Sequence, residues 1–476
     1  MTKKLGNNSK KIAFVHPDLG IGGAERLVVD AAVGLQELEN EVTIYTSHCD
    51  KKHCFEEVSS GLLNVEVYGD FFPTNVLKKF HILFAIIRQF YLVLALIFTG
   101  KIKQYDYFIV DQLSFCIPLL CCFSRPDCKV LFYCHFPDQL LALKGGFLKR
   151  FYRMPFDLIE EWTTGISDQI VVNSNFTKGI FHKTFEGLKN IEPGVIYPCV
   201  DLNSATDTEE DKLMDKEVNE FFKDGKFFLS INRFERKKNI DLAIKSFAKF
   251  KAQLPKNVSE DNRIKPRLVV AGGFDPRVLE NVEYLQELNG LSELLNLKCF
   301  TIRGKLLIIP PATDILFLPS IKSSLKKSLI KNAELLLYTP SFEHFGIVPV
   351  ESMLFKTPVL SVNNGGPLES IVHFTYDNTA TATGYSQEPN DELWSKTMHT
   401  FYTELDEATK LKLGENGLTR VHELFLRHQM SEAFMQNLIQ SNSKDEEKGI
   451  LYGILKMWRI ELLFVLISYY LVRLYK

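Results

Sequence analysis

Residues 338–370, YTPSFEHFGIVPVESMLFKTPVLSVNNGGPLES, constrain the fold more than any other stretch. The apolar run of ELLLYTPS (334–341) reaches Pro340 without a break, as a buried strand leaving a sheet does. A turn follows with Glu343, His344, Phe345 and Gly346. Residues 347–355, beginning at Ile347, then carry helical spacing, and Pro349 is tolerated in a first helical turn. PVLSVN (358–363) reads as a second buried strand. It closes in Asn363-Asn364-Gly365-Gly366-Pro367, and Pro367 suits the first position of another helix. The stretch predicts a βαβα unit whose polar residues gather at strand exits, where a doubly wound sheet binds its ligands. Glu343 falls at the first exit and Glu351 on the helix after it. Gly365 and Gly366 fall at the second, where backbone amides and a helix N-terminus suit a phosphate.

The same alternation runs through the rest of the chain. KIAFVHP (11–17) predicts a strand that feeds Asp18-Leu19-Gly20-Ile21-Gly22-Gly23-Ala24-Glu25-Arg26 and then a helix, LVVDAAVGLQEL. Glycines between a strand and a helix let a phosphate approach the backbone, although the order is not G-x-G-x-x-G and a dinucleotide site is unsupported. EVTIYTS, YDYFIVDQ, KVLFYC and DQIVVNS are further strands, and VIYPCVDL (195–202) reads as the last of the first half. KVLFYC ends in His135, a histidine at a strand exit. A second half opens with KFFLSINRF (226–234), a charged turn, and an amphipathic helix over 239–250 for which Asn239 is the expected cap. Arg233 and Lys238 bracket that turn, a fork and a point charge suited to phosphate oxygens. Arg236 and Lys237 suit a solvated turn better. Strands alternating with helices in both halves imply two parallel, doubly wound sheets. The expected domains are 10–202, 203–440 and a C-terminal membrane anchor over 449–476.

At 476 residues there is room for two or three domains, and a formal net charge of −2 gives no bulk basic field for nucleic acid. The nine cysteines form no C-x-x-C pair, and no metal site is expected. Cys121, Cys122 and Cys134 lie in apolar runs and read as buried thiols. Two segments point to a membrane. Residues 80–98, FHILFAIIRQFYLVLALIF, would make a helix about 28 Å long, flanked by Lys78, Lys79, Lys101 and Lys103. Because the parallel sheet resumes after it, an interfacial helix is expected rather than a span, with a core helix as the alternative. Residues 449–476 place Trp458, Tyr469, Tyr470, Arg473 and Lys476 around a short apolar run, in the manner of an interfacial anchor.

Over residues 11–440, the segments HPDLGIGGAERLVVDAA, FYCHFPDQLLA, INRFERKKNIDLAI, SFEHFGIVPVESM and NNGGPLES resemble the GT-B retaining glycosyltransferases of family 4. Glu343 and Glu351, eight apart around Phe345-Gly346, match the family's nucleotide-sugar motif. HFPD, RFERKKN and the apolar segments are similar to the mannosyltransferases that build dolichol-linked oligosaccharide at the endoplasmic reticulum. That resemblance implies α/β architecture with two Rossmann-like domains facing a crevice, membrane-associated helices and catalytic domains on the cytosolic side. It implies GDP-mannose as donor and a dolichyl-pyrophosphate-linked oligosaccharide as acceptor, which gains α-1,3 and α-1,6 mannoses, with no essential metal. Other mannosyltransferases of the same pathway are a further class of partner. By the same resemblance His135, Glu343, Arg233 and Lys238 are catalytic. Gly22, Gly23, Arg233, Lys238, His344, Phe345, Gly346, Ile347, Glu351, Gly365 and Gly366 bind the donor, and Glu25, Arg26 and His135 the acceptor. The alternatives are a family 4 enzyme with another sugar or acceptor, and a non-catalytic glycan-binding scaffold. A phosphorylase-like enzyme of the same fold would need a lysine-anchored pyridoxal site, and none is identifiable.

Overall fold

The computed structural model describes residues 9–75, 80–141, 147–223, 225–259, 261, 265–306 and 308–440. The anchor expected over 449–476 and the flanking Lys78 and Lys79 lie outside the described residues.

The chain divides into two compact units, residues 1–197 with 427–476, and residues 198–426. The first is built on seven parallel strands: β1 (Lys11–Asp18), β2 (Glu41–His48), β3 (Asn64–Val67), β4 (Tyr107–Asp111), β5 (Lys129–Cys134), β6 (Gln169–Val172) and β7 (Gly194–Val195). Their order is β3-β2-β1-β4-β5-β6-β7. The order reverses at β1, so the exits of β1 and β4 flank the switch point at which such sheets hold ligands. Ile12 pairs with Tyr107 and Val15 with Val110 across that line. Strand residues are buried on both faces, as near-continuous apolar runs require. Ala13, Val15, Phe108, Val110 and Phe132 form one core with Leu92 and Leu96 of the helix His81–Phe98.

The second unit has β8 (Phe227–Ile231), β9 (Arg267–Gly272), β10 (Cys299–Thr301), β11 (Ile315–Pro319), β12 (Leu335–Tyr338), β13 (Val359–Val362) and β14 (Gly384–Gln387). All are parallel, in the order β10-β11-β9-β8-β12-β13-β14. Here the reversal falls between β8 and β12. The expected βαβα unit is present as β12, the helix Ile347–Leu354, β13 and the short helix Pro367–Ser370 with proline in its first turn.

Several expectations need correction. The second domain does not extend to 440: the helix Arg427–Gln440 returns to the first unit. Arg427 is buried there against Asp30 (3.3 Å) and Glu37 (3.1 Å), and Phe434 packs on Phe14. Of the run 195–202 only Val195 belongs to a strand, the two-residue Gly194–Val195. Asn239 does not cap the helix Ile240–Gln253 with its side chain; it sits in the left-handed region (φ 51°), turning the chain between the charged turn and the helix. Cys121 is exposed and Cys122 half-buried, while Cys134 is buried as expected.

The helix His81–Phe98 lays one face on the first unit. Arg88, buried in the middle of the apolar run, reaches Asp18 (2.9 Å) and the Ser47 carbonyl (3.1 Å), and Gln89 donates to the Leu113 carbonyl (2.8 Å). Arg88 and Gln89, the two polar residues in the middle of the run, tie it down. The opposite face leaves Tyr91, Leu94 and Phe98 in solvent, Phe98 being 85% exposed.

Candidate functional site

In the second unit, the two segments that leave β8 and β12 meet at the switch point. Lys238, at the end of the turn Arg236–Lys238, places Nζ 2.5 Å from Glu343 Oε1. The Lys238 side chain is 13% exposed, so its charge is largely removed from bulk water and Glu343 compensates it. The Lys238 carbonyl also accepts from the Thr339 hydroxyl at 2.7 Å, which fixes the turn against the end of β12. Arg233 differs. Its side chain is 61% exposed and pairs with Glu235 at 3.0 Å, and the guanidinium keeps room for a second partner. Arg236 binds Glu283 and Glu287 at the surface.

Gly346 precedes the helix Ile347–Leu354 with φ 85°, and no side chain caps that helix. Phe345 is buried against Phe425, and His344 is half-buried beside it. One turn into the helix, Glu351 meets Lys326 at 2.5 Å. Lys326, on the helix Ser323–Asn332, is a neighbour of the site that spacing did not reveal. Tyr338 is buried under the Glu343-to-Gly346 turn; burial, then the charges of Glu343 and Glu351, push its hydroxyl well above its ordinary range.

The glycine pair has a tighter task than expected. Gly365 (φ 73°) and Gly366 pack on the turn itself: a Cβ on Gly366 would collide with Phe345 Cα, and one on Gly365 would lie 2.6 Å from the Glu343 carbonyl oxygen. Only glycine permits that approach. The Gly366 amide donates to the Glu343 carbonyl at 2.8 Å, so this amide is not free for a phosphate, contrary to expectation. Asn364 accepts from the Phe342 amide at 2.6 Å. The two strand exits are thereby laced together, and Glu343 is held from both sides.

In the first unit, His135 follows β5 as expected, and the sequence missed what holds it. Asp111, the last residue of β4, is 1% exposed and lies between two imidazoles. His16 Nδ1 is 2.7 Å from one carboxylate oxygen, and His135 Nε2 is 2.5 Å from the other. His16 Nε2 meets the Asp18 carbonyl at 3.1 Å. Burial alone would raise the Asp111 carboxyl, but the charges and hydrogen bonds of His135 and His16 prevail and hold it at about 2. Burial would likewise lower His16; the Asp111 hydrogen bond and charge overcome it and the imidazole is raised. His135 also packs on the Tyr133 ring and accepts at its carbonyl from Asn173.

The glycine turn after β1 is less open than its sequence suggests. Gly22 is extended and precedes the helix Gly23–Glu37, and the Glu25 carboxylate folds back over it into the space a Cβ would fill. Arg26 is engaged within the unit by Asp30 and Glu57 and lies over the Phe55 ring.

Both units match models of known families. Residues 21–204 match the one described as Glycosyltransferase Family 4, and residues 211–418 the one described as Glycosyl transferases group 1. Among solved structures, a glycosyltransferase from Rickettsia africae aligns with TM-score 0.64 at 15% identity, covering 92% of this chain and 100% of its own. WaaG, a glycosyltransferase of lipopolysaccharide biosynthesis, aligns with TM-score 0.57 at 14% identity, covering 90% and 99%. At such identities the likeness is one of fold, and the fold is that of GT-B glycosyltransferases. Curated relatives are nearer. The α-1,3/1,6-mannosyltransferase ALG2 of Debaryomyces hansenii is 96% identical over the full length of both chains. The Candida albicans enzyme of that name is 61% identical over 91% of this chain and 99% of its own. The Schizosaccharomyces pombe enzyme is 41% identical over 96% and 86%. With both sheets, both strand-exit clusters and this degree of identity over the full length, the chain belongs to the α-1,3/1,6-mannosyltransferase ALG2 family.

Proposed function

We propose that this chain is a retaining mannosyltransferase that moves mannose from GDP-mannose to a dolichyl-pyrophosphate-linked oligosaccharide, forming α-1,3 and α-1,6 linkages during N-glycan precursor assembly. The observation that carries the reading is the Lys238–Glu343 pair at the switch point of the second sheet, inside the family's motif. Arg233 and Lys238 would neutralise the diphosphate as the bond to the anomeric carbon breaks, which is binding that strengthens in the transition state. The uncapped N-terminus at Gly346-Ile347 adds backbone donors for the same oxygens. Glu351, steadied by Lys326, would accept from the ribose hydroxyls, and His135 would contact the mannose.

The pair also bears on how configuration is retained. A carboxylate already neutralised by an ammonium 2.5 Å away is a weak nucleophile toward the anomeric carbon. That favours a front-face route, in which the departing phosphate takes the acceptor's proton, over a double displacement through Glu343.

The same reading places the enzyme at the endoplasmic reticulum membrane with its units on the cytosolic side. The exposed Tyr91, Leu94 and Phe98 face of the helix His81–Phe98 supports it, since a helix bound to the protein on one side and apolar on the other fits the plane of an interface.

One assay tests the proposal. Purified full-length protein is given a panel of radiolabelled nucleotide sugars and a monomannosyl chitobiose pyrophosphate-lipid, with and without prior dialysis against EDTA. Transfer from GDP-mannose alone, in two successive additions and undiminished by EDTA, is the expected result. Preference for another sugar nucleotide, or glycan binding without turnover, overturns the donor and the enzyme respectively. An absolute need for added magnesium or manganese overturns the assignment of the diphosphate to Arg233 and Lys238.

A further inference from the structure

We propose that Glu160 is a positioning residue for His135, clamping from beneath the loop that carries it. Glu160 lies on the helix Phe147–Thr164 and is 5% exposed. One carboxylate oxygen accepts from the Asp138 amide at 2.7 Å, the other from the Gln139 amide at 3.2 Å. These are the first amides after His135-Phe136-Pro137. Capping alone does not call for such a residue. A helix start is ordinarily served by a serine, threonine, asparagine or aspartate just before it. Here Pro137 occupies that place with no side-chain acceptor, and the acceptor is supplied by a buried carboxylate 22 residues away. Burying a carboxylate is costly, and the cost is offset only where its oxygens are bonded.

The helix that carries Glu160 is itself registered to the other strand exit. Ser114, three residues after Asp111, donates to the Glu160 carbonyl at 3.2 Å and shares a 2.7 Å hydroxyl contact with Thr163. On the loop side, Arg153 binds Asp138 and Asp157, both at 2.9 Å. One helix therefore fixes the loop of His135 and the segment after Asp111, the two groups that meet at 2.5 Å.

The charged and titratable groups around Glu160 are Asp138 from the loop, Asp157 and Arg153 from its own helix, and the Cys134 thiol at the end of β5. Burial first, then the Asp138 charge, raise the Glu160 carboxyl to about 8 against the pull of the two amides. Near neutral pH the group is mostly protonated and only one oxygen accepts well. As pH rises through about 8, both oxygens accept and the loop is held more firmly.

The proposal rests on the reading of His135 as a sugar-contacting group, so the test includes His135 itself. Full-length wild-type enzyme, Glu160→Gln and His135→Ala are compared in detergent for kcat and donor KM between about pH 6 and 9.5. The wild type is expected to gain turnover through about pH 8. Glu160→Gln is expected to match the wild type at about pH 6, to fall about tenfold below it in kcat by about pH 9.5, to keep its donor KM within about twofold, and so to lack that alkaline rise. A wild-type kcat with the same alkaline rise overturns the proposal, as does a loss of activity that only tracks loss of folded protein. Should Glu160→Gln not fold, Glu160→Asp keeps the charge but withdraws it by one methylene, and a wild-type profile there is equally fatal. If His135→Ala retains full turnover, it is the assignment of His135 that falls, whatever Glu160 does.

Discussion

Replacing Asp111 with asparagine removes a charge and leaves the shape, and the structure sets the size of the effect. A carboxylate held at about 2 instead of the ordinary 3.8 contributes about 2–3 kcal/mol to the folded state. The sign follows from the depression: the contribution is complete above 3.8 and is lost as pH falls toward 2. The asparagine variant lacks it at every pH. His16 adds a second dependence of opposite sense. Its raised value stabilises the fold below about 6.5, and that gain is lost as pH rises through the folded value. Without the Asp111 carboxylate the buried imidazole resists protonation instead. The gap between wild type and Asp111→Asn should therefore widen from about pH 8 to about pH 5.5 and close only below about pH 4. For a unit of this size, 2–3 kcal/mol corresponds to roughly 5–10 °C in melting temperature. Thermal unfolding of both full-length proteins at those two higher pH values measures it, and turnover should fall by at least about tenfold because His135 loses its partner. Melting temperatures within about 2 °C at both pH values would refute the picture of a buried anion between two imidazoles. A gap larger at the alkaline pH than at the acid one would refute the part given to His16.

Arg233→Ala and Lys238→Ala should each raise the barrier to transfer by about 2–4 kcal/mol, read as kcat/KM with GDP-mannose. Only Lys238→Ala should also lower the melting temperature, because Arg233 is mostly exposed whereas loss of Lys238 leaves Glu343 uncompensated; wild-type rates in both single variants would remove them from the site. In a chain ending at Lys448, Leu94→Glu with Phe98→Glu should weaken flotation with anionic liposomes without altering the melting temperature. Flotation equal to that of the unsubstituted chain would exclude this helix face as a membrane contact.

How much was legible depended on whether the signal was local. His135, Glu343 and Lys238 lie in the segments that leave β5, β12 and β8, with Glu351 on the helix that follows β12, and strand exits can be found by eye in a parallel sheet. Asp111 ends β4 and His16 lies two residues inside the end of β1, yet each looks like an ordinary strand residue. Their meaning comes from β1 and β4 lying side by side, which joins positions 95 apart in the chain. Lys326 is hidden for the same reason, as one lysine among several on a polar helix until Glu351 faces it. The strands β3, β10 and β14 are three or four residues long, each at the edge of its sheet and too polar to stand out. The amide of Gly366 misled because a glycine pair before a helix suggests an anion, while here it permits contact between two loops. The helix Arg427–Gln440 gave no local hint that it belongs with the first unit; its anchor is Asp30, 397 residues earlier.

That last helix makes the second unit an insertion in the first, with a consequence for how the protein is born. Roughly 230 residues separate Tyr197 from Arg427, and at ordinary rates of synthesis they take about 10–50 s to emerge. Throughout that interval the earlier-made sheet lacks the face against which Phe14 and Asp30 pack. The later-made unit is continuous from Pro198 to Leu426 and closes before the earlier one is complete. On the ribosome, the half of the molecule that carries His135 waits with an uncovered apolar flank until the chain comes back to it.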